Sequence, residues 1–572
     1  MKSPIRRNLI TLALVASLGC VLSACVNVPD AAPDSLGRGL DSITADGMLQ
    51  HIRVLSSDEF EGRLPGTRGE DLTVAYIADQ FKAMGLAPGN PDGTYMQKVP
   101  LYGFTARPTA AFKVAGKTMT LEFPQDYVAY APTPRRDVAI ENSDMVFVGY
   151  GVIAPEYGWD DYKGMDVRGK TLVMLINDPQ IPDPQNPARL DDKMFKGNAM
   201  TYYGRWTYKY EIAARLGAAA AIIVHETPTA AYPYEVVSNS WSRENFSIKM
   251  EGSNPDFPDI AAWIHLDRAK QLFAASGYDF EALKRQALSK NFKPVVLGAR
   301  ANMRVQNTWR EVASRNVVAK IEGSDPALKN EYVIYTAHWD HLGVDESRPG
   351  SNRSDKIFHG AVDNASGIAT LLSFARAYSK LERAPKRSVL FIATTAEEQG
   401  LLGAKYYAEH PLYPLSRTLA DINVDSINQW GRTRDVAVLG FGSSTLDDMV
   451  VGIAATQGRT VKGDPRPERG GFYRSDQFEF AKQGVPVIYG RSGNDYIGKP
   501  AGFGDEMANR FTTNDYHKPS DRIGSDWDLS GAVQDAQMLF QLGHAVAQSA
   551  SYPEWKPGTE FKARRDAMMS RP

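Results

Sequence analysis

The chain has 572 residues, too many for one core, and domains of roughly 100 to 200 residues imply two or three. Its composition is ordinary for a globular protein, with 43% hydrophobic residues, 23% charged residues and a formal net charge of −2. No basic excess points to nucleic acid, and beyond the N-terminus no run approaches the ~20 apolar residues that span a bilayer.

The first residues, MKSPIRRNLITLALVASLGCVLSAC, set Lys2, Arg6 and Arg7 ahead of an apolar run that ends in small residues. That is the pattern of a secretory signal, here over 1–24. Its end, LSAC at Leu22 to Cys25, resembles the lipobox of bacterial lipoproteins. The resemblance implies cleavage before Cys25 and a lipid anchor on it. Val26 and Asn27 follow, without the Asp of an inner-membrane retention signal. The expectation is an outer-membrane lipoprotein facing the periplasm, with surface exposure or secretion left open. Cys20 and Cys25 are the two cysteines, so the mature chain would hold no internal disulfide. A Pro-, Asp- and Gly-rich stretch then predicts a flexible tether over 25–41.

Apolar residues at helical spacing predict two helices, within 43–60 and 69–86, around the loop EGRLPGTRGE, the second stopping at Gly85. From 101 to 307 short strands such as MVFVGYGV, KTLVMLIND, AAIIVHE and IAAWIHLD predict a separate β-rich module. From Asn316 the strands NVVAKIEG, EYVIYTAH, SVLFIATT, ADINVDS, DVAVLGF and VPVIYG alternate with helical segments such as GIATLLSFARAYSKL. The expected fold is α/β, a mixed and largely parallel sheet flanked by helices. The discontinuous main domain takes 42–100 and 308–550, and 551–572 forms a C-terminal tail. No P-loop, G-x-G-x-x-G or G-x-S-x-G motif is present.

Three of those strands deliver chemistry to their carboxyl ends, where ligands bind in open α/β sheets. VIYTAHWDH carries His338 and Asp340, LFIATTAEE carries Glu397 and Glu398, and INVD carries Asp425. The loops GAVDNASG and TTNDYHKPSD add Asp363 and His517. Acids clustered with two histidines repel one another unless cations compensate them. Nitrogen and oxygen donors of this kind suit zinc.

The order H-x-D, DNASG, Glu-Glu, N-x-D and Y-H resembles metallopeptidase family 28, the co-catalytic zinc aminopeptidases, over about 316–547 together with the helices that begin near Ile43. The module between, with VFVGYGVIAPEYGWDDY as its clearest stretch, resembles the protease-associated domain often inserted in that family. The resemblance implies two zinc ions, one held by His338 and Asp425, the other by Glu398 and His517, with Asp363 bridging. It also implies Asp340 as the carboxylate that holds His338, and Glu397 as general base toward the attacking water. Tyr473, in GGFYRSDQFEF, resembles the tyrosine that hydrogen-bonds the oxyanion, and a packed tyrosine is the alternative. His341 and His359 read as neighbours of the site or surface residues, not ligands.

The expected activity is removal of N-terminal residues from peptides. The alternatives are a carboxypeptidase or dipeptidase on the same two-zinc core, a glutaminyl cyclase, which the presence of His338 disfavours, and an inactive receptor-like ectodomain. Arg466, Arg469, Arg474 and Arg491 are the arginines near the site, with Asp464, Glu468 and Asp476 interleaved. That mixture reads as balanced charge, not as an anion pocket.

Overall fold

The structure is a computed structural model that describes residues 35–250, 252 and 254–570. The expected signal over 1–24, Cys25 with its lipid, and the first part of the tether lie outside the described residues. The tether's last part is helical, at Ser35–Asp41. Leu36 and Leu40 pack against the main core, and this apolar pair outweighs the Gly-rich composition that predicted a flexible tether.

Thr44 caps the next helix, Ala45–Leu55, its hydroxyl accepting from the Gly47 amide at 3.2 Å. The Arg68–Ala83 helix follows, burying Val74, Ile77 and Phe81. Gly85, with φ +79°, supplies the left-handed residue that ends it. Both helices lie on the core of the main body, where the Ser366–Ser379 and Ser530–Gln548 helices also pack.

One sheet runs through the whole molecule. In the main body its order is Thr460–Lys462, Asp435–Leu439, Val487–Ser492, Thr418–Asn423, Tyr332–His338, Ser388–Thr394 and the C-terminal end of Val295–Ile321. The central strands Val487–Ser492, Thr418–Asn423, Tyr332–His338 and Ser388–Thr394 are mutually parallel. Val295–Ile321 pairs antiparallel at their edge. Its N-terminal end continues into a second set, Asp137–Phe147, Thr171–Leu175, Ala220–His225 and Ile260–His265, again parallel among themselves. The fold is thus the mixed, largely parallel, helix-flanked sheet expected.

The 101–307 segment has its own core, built around Phe147, Val173, Ile223 and Trp263. The boundaries expected at 100/101 and 307/308 fall inside strands, Met96–Val114 and Val295–Ile321. These two pair antiparallel from Val114 opposite Ala299 to Met96 opposite Val317, and so long a ladder has no break at which a change of domain could show. The described part of the C-terminal tail, 551–570, packs on the main body. Trp555 and Phe561 are buried in an apolar cluster with Tyr473, Phe478 and Phe480, and Lys562–Met569 is helical.

Candidate active site

The parallel register decides what meets at the rim of the sheet. His338 pairs with Thr394 in one neighbouring strand, and Thr336 with Asn423 in the other. The three strands therefore end together, and the residues just beyond them, Glu397, Glu398 and Asp425, lie beside His338. Side chains at successive strand positions alternate faces, but the two glutamates follow Thr394 in a short turn. Asp340 holds that turn, its carboxylate accepting from the amides of Glu397 at 3.0 Å and Glu398 at 3.4 Å. The backbone is strained there, with Ala396 at φ +52°, Ser426 at +74° and His517 at +55°. Left-handed non-glycine residues of this kind concentrate at functional sites.

His338 Nε2 lies 3.3 Å from Asp363 Oδ1, 3.5 Å from Asp425 Oδ1 and 3.8 Å from Glu397 Oε2. His517 Nε2 lies 2.9 Å from Glu398 Oε2 and 3.4 Å from Asp363 Oδ2. Asp363 thus stands between the two imidazoles. All these side chains are buried or nearly so, yet neither Nε2 is in line for a hydrogen bond. Ligand atoms of His338, Glu397 and Asp425 lie within 4.8 Å of one another, as do those of His341, Asp363 and Glu398. Two buried nitrogens without hydrogen-bond partners, each ringed by carboxylate oxygens, form a donor set that fits divalent cations such as zinc.

Electrostatics agree with that fit. Burial lowers the His338 imidazole, but Glu397, Asp363 and Asp425 outweigh it and hold the ring well above the ordinary imidazole range. His517 is likewise pushed up to about 10, against burial, by Glu398 and Asp363. The carboxylates call for positive charge. Burial, then Asp425 and Glu398, lift Glu397 well above the usual carboxylate range against the pull of His338. Its neighbour Glu398 goes the other way: burial and Asp363 raise it, while His517 and His341 bring it down to about 2. Adjacent glutamates thus sit in opposite proton environments, the arrangement that separates an acid–base group from a ligand.

Several supports were not legible in the sequence. Asp521 accepts from the amides of Val362 at 2.9 Å and Asp363 at 3.0 Å, fixing the loop that presents Asp363. Asn364 accepts from Gly367 N at 2.9 Å and Ser426 N at 3.0 Å, tying the Asp363 loop to the Asp425 loop. A Cβ at Gly367 would lie 2.2 Å from Asn364 Oδ1, which explains the glycine of DNASG. Arg63 is 1% exposed and donates to the carbonyls of Leu55, Trp339, His359 and Gly360 at 2.7–2.9 Å. His341 is buried with Nδ1 2.5 Å from Glu398 Oε1, so it belongs to the cluster itself. His359 instead meets Asp58 at 2.8 Å.

The 101–307 segment reaches the site through its Tyr234–Trp241 helix. Ser240 Oγ donates to Val236 O at 2.9 Å and lies 3.2 Å from His517 Nδ1. Its one proton is committed, so it accepts from Nδ1–H, and in the neutral ring Nε2 keeps its lone pair for a ligand. Asn239 donates to His517 O at 3.4 Å, and Glu235 pairs with Lys518 at 2.7 Å.

Tyr473 is a correction. Its hydroxyl donates to Glu560 at 3.0 Å, and its ring packs against Tyr202 and Phe478 in the cluster that the C-terminal segment covers. The aromatic surface of the 101–307 segment and the 551–570 segment draw it away from the cavity. Tyr489 and Tyr516 line that cavity instead, and Tyr489 OH lies 3.3 Å from Asp425 Oδ2.

The cavity holds about 320 Å³ between the two bodies. Asp363, Glu397, Glu398, Asp425 and His517 lie on it, with Trp206, Trp241 and Trp430. So do five arginines, Arg205, Arg466, Arg469, Arg474 and Arg491. Of the acids interleaved with them in sequence, Asp464 lines the cavity, whereas Asp476 is buried, accepting from Thr394 Oγ1 at 2.5 Å. The charge expected to balance along the loop is sorted by folding.

Residues 316–541 match the model of Peptidase family M28. The chain is 35% identical over 133 residues to Aminopeptidase NAALADL1 of Mus musculus, covering 22% of this chain and 16% of that protein. It is 26% identical over 228 residues to BOS complex subunit NCLN of Homo sapiens, covering 38% of this chain and 37% of that one. It therefore spans well under half the length of these curated relatives. Among solved structures, the aminopeptidase from Aneurinibacillus sp. strain AM-1 superposes with a TM-score of 0.49 at 20% identity, over 90% of this chain and 96% of that one. The match to the Peptidase family M28 model covers residues 316–541, less than half of the chain, and takes in His338, Asp363, Glu397, Glu398, Asp425 and His517.

Proposed function

We propose that the chain is a zinc-dependent exopeptidase that releases N-terminal residues from peptides. The observation that carries the proposal is the pair of buried imidazole Nε2 atoms without hydrogen-bond partners, His338 and His517, set among carboxylates with Asp363 between them. In this reading His338 and Asp425 hold one zinc ion, Glu398 and His517 the other, Asp363 serves both, and His341 steadies Glu398. Two zinc ions supply charge compensation for the acids and Lewis acidity toward a peptide carbonyl and a water molecule. Glu397 then takes a proton from water as its oxygen adds to the carbonyl carbon, and returns that proton to the departing amine nitrogen. Asp340 keeps Glu397 and Glu398 in their turn through the two amides.

An aminopeptidase has to hold the α-ammonium of its substrate, and the acids on the cavity wall provide for that. Attachment to a membrane through Cys25, in the periplasm, belongs to the same proposal and rests on the LSAC ending; mass spectrometry of the mature N-terminus tests it. A panel of free, N-acetylated and C-amidated peptides, assayed with zinc-loaded protein, tests the activity. Cleavage of free peptides and strong loss on N-acetylation are expected. Rapid turnover of acetylated peptides that requires a free C-terminal carboxylate would move the assignment to a carboxypeptidase.

A further inference from the structure

Away from the cavity, positive charge gathers on the surface where the main body's largest helix connection turns back into the sheet. The stretch RAYSKLERAPKR, 376–387, runs from the last turn of the Ser366–Ser379 helix to the start of the Ser388–Thr394 strand. Arg376, Lys380, Arg383 and Lys386 are exposed there, and none makes an ion pair among the described residues. The acids beside them are already engaged. Glu382 pairs with Arg38 at 2.7 Å. Asp325, whose amide donates to Lys386 O at 3.2 Å, accepts from Ala327 N at 2.8 Å. Cations near a helix C-terminus suit its dipole, which accounts for Arg376 and Lys380 but not for Arg383 and Lys386, beyond the last turn. Four uncompensated cations lie within this one stretch of a chain whose formal net charge is −2.

The N-terminal chain joins the fold at the same place. The Ser35–Asp41 helix lies against the end of the Ser366–Ser379 helix: a Cβ at Gly39 would lie 3.1 Å from Ala377 O, and Arg38 holds Glu382. Ser35 is about one turn from Arg38. Residues 26–34 separate Ser35 from Cys25, and even at full extension that length of chain reaches no more than ~35 Å. We propose that Arg376, Lys380, Arg383 and Lys386 form a docking surface for a membrane that carries anionic phospholipid. Anionic headgroups attract Lys and Arg within about a Debye length of the surface, so a patch beside the tether gains what the same charges on the far side would not. A lipid chain and a basic patch together hold more firmly than either alone. The patch lies at the amino edge of the sheet, where the Ser388–Thr394 strand begins, and the candidate metal cluster lies at the carboxyl edge, where that strand ends. Docking therefore holds the cluster away from the lipid, toward peptides in solution. That orientation rests on the attachment through Cys25 in the proposed function; recognition of lipid by the patch does not.

The test is co-sedimentation with vesicles, using protein that begins at Val26, carries no lipid and keeps every element of the described fold. It binds phosphatidylglycerol vesicles at least about tenfold tighter than phosphatidylcholine vesicles, the scale expected when several cations reach an anionic surface, and high salt removes the difference. With Lys380→Glu and Arg383→Glu combined, the ratio falls toward one. With Lys117→Glu and Lys163→Glu combined, which reverse two exposed cations of the 101–307 segment, the ratio stays as in the parent. Should the first pair fail to fold, Lys380→Gln with Arg383→Gln carries the same test. Equal binding to both vesicles, no binding to either, or a ratio that survives loss of Lys380 and Arg383 overturns the proposal, as does an equal fall in the control pair. Failure of the Cys25 attachment registers separately, as an unmodified mature N-terminus by mass spectrometry.

Discussion

Arg63 and Arg205 are two buried guanidiniums at either end of the same site, and they are buried on opposite terms. Arg63, behind the metal cluster, spends its donors on four backbone carbonyls and so joins the Leu55 end of a helix to the loops at Trp339 and His359–Gly360. Arg205, at the cavity, has a bare Nε and no ion pair among the described residues. A buried cation whose hydrogen bonds are satisfied within the chain is part of the scaffold. One left unsatisfied at a cavity wall costs stability and keeps its donors for something that arrives.

The sharpest way to break that comparison is to remove each charge. Arg63→Met orphans four carbonyls and should destabilise the fold by about 3 kcal/mol or more, read as a lowered urea midpoint. Arg205→Met should leave the midpoint unchanged or raise it, since replacing an unpaired buried charge by an apolar group of similar length is neutral to stabilising. Equal losses in both would erase the distinction.

On the opposite wall the two glutamates make a second comparison. Glu397→Gln should lower kcat by at least ~10²-fold while zinc content stays near that of the parent, whereas Glu398→Ala should lose metal, by elemental analysis. Ser240→Ala tests whether the 101–307 segment positions His517: zinc affinity by chelator competition should fall about tenfold, and Ser240→Thr should restore much of it. Smallest is Tyr473→Phe, which removes one hydrogen bond to Glu560. It should cost about 1 kcal/mol of stability and leave kcat within a factor of about two, because the ring lies outside the cavity; a hundredfold loss in kcat would return Tyr473 to the chemistry.

The acidic wall was legible because parallel strands end in register. His338, Glu397, Glu398 and Asp425 each follow an apolar run, and period and position alone place them at one rim. Asp363 and His517 came with the motif order. The basic wall was not legible, for its members come from separate segments, at 205, 466–474 and 491, and which of them turn inward depends on how the bodies close. Ser240 and His517 are 277 positions apart, and nothing local marks a helix serine as their link. Arg63 sits in EGRLPG, a stretch that reads as a solvated turn until the 338–360 loops fold over it. Tyr473 misled in the other direction: its stretch GGFYRSDQFEF resembles that of the oxyanion tyrosine, but aromatic packing with Tyr202 and Phe478 turns its ring away.

The central claim is that paired cations answer the buried carboxylates. Metal analysis of the purified protein, run alongside a peptide-hydrolysis assay before and after chelation, tests it most directly. The account predicts two zinc ions per chain, hydrolysis lost with the metal, and hydrolysis restored when zinc is returned; full hydrolysis by protein shown to be metal-free would contradict it.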